Sequence, residues 1–116
     1  MTGKYDIEIY NKRVHYHLTV KRNITVIQGD SATGKTELLR MISDYENNGI
    51  SSGITQICEK RCVVIENASW KERLATLQQC IIFIDEGALF LRSKEFTKMV
   101  KGSDNYFVLV TRDSLE

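Results

Sequence analysis

The residues Gly29-Asp30-Ser31-Ala32-Thr33-Gly34-Lys35-Thr36 constrain this chain more than any others. They complete a G-x4-G-K-[ST] pattern. Before them lies the β-branched run Ile24-Thr25-Val26-Ile27-Gln28; after them Leu38, Leu39, Ile42 and Tyr45 recur at helical spacing over Lys35 to about Asn47. A strand that turns into a helix through such a loop suits an anion. Glycine lets the backbone wrap closely, so that successive N–H groups point inward as a nest. The start of the following helix adds the positive end of its dipole. On this reading Gly29, Asp30, Ser31, Ala32, Thr33, Gly34, Lys35 and Thr36 bind phosphate, with Lys35 reaching the β- and γ-phosphates and the Thr36 hydroxyl ligating Mg²⁺. The competing reading is a plain glycine-rich turn. From average composition, a chance match arises in well under ~1% of chains this long, which favours the phosphate loop.

A second element, Ile81-Ile82-Phe83-Ile84-Asp85-Glu86, places two carboxylates at the end of a strongly apolar run. The run reads as a central strand buried on both faces, and open α/β sheets bind ligands at the carboxyl ends of such strands. Asp85 is expected to hold Mg²⁺ through a water, and Glu86 to polarise the water that attacks the γ-phosphate. A solvated acidic turn is the alternative, weakened by the phosphate loop upstream.

The rest of the pattern supplies the frame. Residues 5–10 and 14–20 alternate apolar and polar about the turn Asn11-Lys12-Arg13, a β-hairpin. Strands are predicted at about 24–28, 62–66, 81–85 and 106–110, with helices near 70–78 and 93–100 and a loop at 49–60 anchored by Ile50, Ile54 and Ile57. Asn67 or Ser69 is a candidate cap for the helix at Trp70. Alternation of strand and helix from residue 24 onward implies an α/β core with a largely parallel sheet, preceded by the hairpin at 1–23. The 116 residues make one domain, 1–116.

Walker A and Walker B motifs of the P-loop NTPases are what Gly29–Thr36 and Ile81–Glu86 resemble, and the resemblance covers about residues 24–112. The adjacent Asp85-Glu86 pair is similar to the division with a catalytic glutamate, which includes the AAA+, RecA-like and ABC ATPases. That resemblance implies a core of strand order 5-1-4-3-2, ATP favoured over GTP, Mg²⁺ held by Thr36 and Asp85, and catalysis by Glu86 and Lys35. It also implies a polar sensor at the end of the strand after Walker B, where Thr111 stands; the alternative is a simple strand-end residue. Arg112 reads as solvated, with a phosphate contact as the alternative. Only four core strands are counted. The hairpin is expected to cover the open edge, or the chain to be the front half of a longer protein. No LSGGQ-like signature or helical lid is present in the sequence, which disfavours an ABC ATPase and excludes a complete AAA+ protein, although the hairpin looks similar to that of ABC ATPases. The Asp-Glu pair ahead of Phe90, followed by a Thr-ended strand, is loosely similar to phage assembly ATPases of the Zot type.

The expected activity is Mg²⁺-dependent ATP hydrolysis. A nucleotide-binding switch or assembly module with little hydrolysis is the alternative, and a small-molecule kinase is disfavoured because no stretch is left for an acceptor-binding lid. No second arginine is placed as a finger in cis, so self-association or a partner supplying an arginine is expected. Lys and Arg number 16 against 15 Asp and Glu, a net charge of +1 that does not call for nucleic acid. The couples Lys12-Arg13, Lys21-Arg22 and Lys60-Arg61 read as solvated turn charges, with a nucleic-acid face as the alternative. Three cysteines, an odd number, argue against a disulfide scaffold and for a reducing, cytoplasmic setting. Cys58 and Cys62, spaced C-x3-C without two further ligands, read as apolar side chains rather than a zinc site. His15 and His17 share a strand face but lack a third ligand. Tyr5, Tyr10 and Tyr16 are each a candidate for adenine stacking or for hairpin packing. No run is apolar and long enough to span a bilayer, and none resembles a signal peptide.

Overall fold

Alternating apolar residues at the start of the chain pair as a hairpin. β1 (Lys4–Tyr10) and β2 (His15–Lys21) run antiparallel from Lys4↔Lys21 to Tyr10↔His15, burying Ile7, Ile9 and Val20. Asn11 closes the turn: its Oδ1 accepts from the N–H groups of Arg13 and Val14 at 2.8 and 2.9 Å, the local bond that makes asparagine a turn residue. The computed structural model describes residues 4–21, 24–28 and 32–111, and for Gln28 and residues 32–36 the backbone alone.

β3 (Ile24–Gln28) precedes α1 (Ala32–Asn48). The helix begins before Lys35, so the second half of the G-x4-G-K-T motif is already helical backbone. It buries Leu38, Met41 and Ile42 and stops at Gly49, whose φ of 57° is the left-handed value glycine adopts freely.

Residues 49–60 depart from expectation. A short 3-10 turn (Gly49–Ser52) leads to β4 (Thr55–Ile57), which pairs antiparallel with the free side of β1 through Glu8↔Ile57 and Tyr10↔Thr55. The hairpin thereby becomes a three-stranded sheet, β2-β1-β4. A three-residue strand is too short to show a period, and it forms because the edge of β1 offers unpaired N–H and C=O groups. Of the three expected anchors only Ile54 is buried; Ile50 is 88% and Ile57 53% exposed.

β5 (Cys62–Val64), α2 (Trp70–Ala75), β6 (Ile81–Asp85), α3 (Lys94–Lys101) and β7 (Tyr106–Thr111) complete the described elements. β5 and α2 are shorter than predicted, although the Ile65 N–H still donates to the Phe83 carbonyl at 3.1 Å. Neither candidate cap of α2 acts as one. Ser69 holds the position with a left-handed φ of 57° and no side-chain bond to the helix, and the Asn67 side chain is used elsewhere. Ser93 does cap α3, accepting from the Phe96 N–H at 3.1 Å.

The core sheet is parallel throughout, in the order β3-β7-β6-β5. The last strand therefore lies between the first and the third. On one face Val64, Ile81, Phe83, Val108 and Val110 pack with Leu38, Met41 and Ile42 of α1 and with Ile7, Ile9 and Val20 of the antiparallel sheet. On the other, Val63, Ile65, Ile82, Ile84 and Phe107 pack with Leu74, Phe90 and Phe96. Trp70 stacks on Phe90 at 4.7 Å between centroids, and Phe90 meets Phe96 edge-on at 5.3 Å. Burial on both faces is why the strands read as continuous apolar runs.

Two polar anchors fix this packing. Asn105, buried just before β7, accepts from the Cys80 N–H at 2.8 Å and donates to the Leu77 carbonyl at 3.1 Å. Glu46 of α1 receives Arg61 at 2.7 Å and Arg73 at 3.9 Å, and Arg73 also donates to the Val64 carbonyl at 3.0 Å. The hairpin covers a face of the core rather than its open edge. Among the described residues no strand pairs with the outer side of β3, where Ile24 and Val26 are 48% and 58% exposed. No described helix is long and apolar enough to cross a membrane.

Candidate functional site

Parallel pairing brings the carboxyl ends of the core strands to one end of the sheet. Gln28 lies opposite Thr111, and Asp85 opposite Val110. Continuing the register Val64↔Phe83 by two residues sets Glu66 level with Asp85. At roughly 4.8 Å per strand, the end of β3 and Asp85 lie about 10 Å apart, with the end of β7 between them.

Gly29, Asp30 and Ser31 lie outside the described residues, as does Arg112, and the side chains of Lys35 and Thr36 are likewise not described. The backbone of α1 from Ala32 onward is. Its first turn falls within the motif, and a helix leaves the N–H groups at its start without partners in its own ladder.

The acidic turn is built in detail. Asp85 is half-buried at the end of β6, and its Oδ1 accepts from the Gly87 N–H at 2.8 Å. The Ala88 N–H returns to the Asp85 carbonyl at 2.9 Å, and the Glu86 N–H donates to the Val110 carbonyl at 3.1 Å. The Glu86 side chain is exposed. Phe90, two residues past the turn, anchors it in the aromatic cluster.

Glu66 and Asn67 join this site, a placement the sequence reading missed. The Asn67 Oδ1 accepts from the Leu89 N–H at 2.9 Å, tying the chain after β5 to the chain after β6. A cleft of about 800 Å³ opens between them, lined by Glu66, Asn67, Asp85, Glu86 and, from α1, Leu39. A smaller adjoining hollow joins Glu66 and Asp85 to Arg40 and Ser43. The signal was present: Cys62-Val63-Val64-Ile65-Glu66 repeats the apolar-run-then-carboxylate pattern of residues 80–85.

Thr111 stands at the end of β7, where its hydroxyl donates to the Ile27 carbonyl at 3.3 Å. The tyrosines divide. Tyr5 meets Tyr106 edge-on at 5.1 Å, at the amino end of the sheet and away from the acidic turn, so it packs the hairpin. Tyr10 lies against His15 near the hairpin turn at 4.9 Å. Tyr16 is pushed above the usual phenol range by burial and by the charge of Glu37 in the first half of α1. Glu37 is itself held below the carboxylate range by a hydrogen bond from Arg40, with Arg13 of the hairpin turn also contributing. Those couplings put the hairpin tip near the start of α1.

The donor set is one of hard oxygens, suited to Mg²⁺. Among the described residues no cluster of three metal-ligating side chains forms a closed cage. Mg²⁺ is ordinarily held by one or two carboxylates plus substrate phosphates, so a single strand-end aspartate fits it. Comparison of the chain with protein-family models, with curated proteins and with solved structures gave no match in any of the three.

Proposed function

We propose that this chain is a P-loop nucleoside triphosphatase that binds ATP and hydrolyses its β–γ bond. The observation that carries the reading is the sheet order. The end of β3, where the motif begins, and the carboxylates at the end of β6 flank the single strand β7 at the same end of a parallel sheet, an arrangement that suits a triphosphate laid across the strand ends.

Each residue then has a task. The N–H groups of residues 29–35 cradle the phosphates and Lys35 neutralises charge on the β- and γ-groups. Thr36 and Asp85 hold Mg²⁺, which when bound screens the phosphate oxygens. Glu86 accepts a proton from the attacking water, Glu66 and Asn67 line the approach to that water, and Thr111, paired with Gln28 at the end of β7, acts as a sensor. Tyr10 or Tyr16 at the hairpin tip stacks on the adenine. Catalysis in such a site is positioning and charge neutralisation. With no arginine assigned as a finger, full turnover requires a second copy or a partner that supplies one.

Lys35→Ala tests the reading. Calorimetric titration with ATP and Mg²⁺ is expected to show severe loss of affinity with thermal unfolding unchanged, since charge-assisted contacts to phosphate are roughly twice as strong as neutral ones. Equal affinity in the variant would overturn it. A parallel assay of phosphate release separates a hydrolase from a binding switch.

A further inference from the structure

The outer face of the antiparallel sheet carries metal-binding residue types that the nucleotide site does not use. His15 and His17 stand two residues apart on β2, so both project from one face. That face is the exposed one. Ile7, Ile9 and Val20 of the hairpin turn inward and are buried, while both histidines are exposed. On the strand alone the pair lacks a third ligand, and the register supplies it. Glu8 of β1 lies directly opposite His17, and Tyr10 opposite His15. Opposite residues share a face, so Glu8 stands across from one histidine and diagonal to the other. Its Oε2 is 3.9 Å from His15 Nε2. The next carboxylate along β1 is occupied, because Asp6 Oδ1 accepts from the Thr19 hydroxyl at 2.9 Å. β4 pairs with the other side of β1 through Glu8↔Ile57, so Glu8 sits on the middle strand of its sheet rather than on an edge.

We propose that Glu8, His15 and His17 form a binding site for a divalent transition ion of the zinc class, which clamps β1 to β2. Donor type and spacing carry this. Two imidazoles and one carboxylate suit Zn²⁺, whereas Mg²⁺ and Ca²⁺ take oxygen ligands. Donors about 2.0–2.2 Å from a tetrahedral ion lie about 3.4 Å from one another. The 3.9 Å between Glu8 and His15 is therefore close to a coordinated spacing. As the side chains stand, the three donors do not surround one point. His17 is the one to turn in. It is exposed, and its Cβ lies about 5 Å from that of Glu8 across the strands. Rotation about its side-chain bonds brings a ring nitrogen to the site without moving the backbone. The His15 ring already leans on Tyr10, at 4.9 Å between centroids. Water fills the fourth position, which faces solvent.

The ligands come from two strands, so the ion binds the paired hairpin and not the separated strands. Free metal then stabilises the folded chain by mass action. The site is independent of the nucleotide reading, since neither the acidic turn nor the G-x4-G-K-T residues belong to it.

The chain contains 2 histidines, so their imidazole proton resonances report the site directly. The untagged full chain is titrated with Zn²⁺ buffered by a chelator, which sets the free ion concentration. Both imidazoles are expected to shift together along one saturating curve. Zinc taken by the cysteines or by the acidic turn does not produce that signal. His17→Ala, read at His15, and Glu8→Gln are each expected to weaken binding about tenfold or more, because even partners one step removed from a metal are worth about 10–100-fold. Both positions are on the surface, and thermal unfolding of the metal-free variants is expected to match the wild type, which separates a lost ligand from a lost fold. Imidazoles that stay unshifted up to millimolar free zinc, or a shift at one histidine alone, would overturn the site. Glu8→Gln binding as tightly as the wild type would overturn the three-ligand arrangement.

Discussion

At Asp85 and Glu86, two neighbouring carboxylates stand in unlike surroundings. Asp85 is half-buried and bonded to the Gly87 amide, whereas the Glu86 side chain is exposed. That difference suits one to holding an ion and the other to taking a proton from water. Glu86→Gln keeps shape and hydrogen bonding but removes the basic oxygen. It is expected to bind ATP normally and to release phosphate about 10²–10⁴-fold more slowly, measured in single-turnover assays. Asp85→Asn should instead raise the Mg²⁺ concentration needed for half-maximal nucleotide binding. Cys58 gives a prediction in pH. The fold favours its thiolate, lowering it from 9.0 to about 7, so its contribution to stability is complete above pH 9.0 and is lost as pH falls through about 7. The charged groups that share its surroundings are Lys4, Asp6, Glu59 and Lys60, with Glu46 near Cys62. Alkylation of Cys58 should accordingly reach half its limiting rate near pH 7.

Among the elements, the aromatic layer determines how well the acidic turn is held. Phe90 is buried between Trp70 and Phe96, and it follows Asp85 in the chain with only the turn between them. Phe90→Ala is expected to cost about 3–5 kcal/mol by denaturant unfolding and, in protein that still folds, to weaken Mg²⁺-dependent nucleotide binding. Ser93→Ala removes the α3 cap and should cost about 0.5–2 kcal/mol without touching binding. Elements with a strong period or a buried run were legible in the sequence: both hairpin strands, β3, α1, β6, α3 and β7. The short ones were not. β4 is created by a free edge on β1 rather than by its own residues, and α2 ends at Ala75 although the sequence suggests helix to about residue 78, because Thr76 and Leu77 turn back on Arg73 and Leu74. At the site, Asp85 and Glu86 were readable from a strand ending in carboxylates. Glu66 carries the same signal one strand away, and only the register of β5 on β6 brings the two together.

For the molecule as a whole, the open side of β3 matters most. Its apolar residues Ile24 and Val26 face outward beside a strand edge with no described partner, and such edges seek pairing. Concentration-dependent association is expected in sedimentation, reduced in Val26→Lys. A chain that stays monomeric at every concentration, with brisk turnover independent of concentration, would show the site to be complete in one copy.

The sheet order also sets a timetable for synthesis. β3 is made early and its described neighbour in the core, β7, is made after the other described core strands, β6 to which it also pairs included. Until residues 106–111 leave the ribosome, β3 has no core partner and the face that α1 must cover is incomplete. The antiparallel sheet, by contrast, can close as soon as residue 57 has emerged. A nascent chain halted just short of Tyr106 should therefore protect the antiparallel sheet but leave β3 and α1 more open to protease than they are once β7 is present, and its parallel core should form in a single late step.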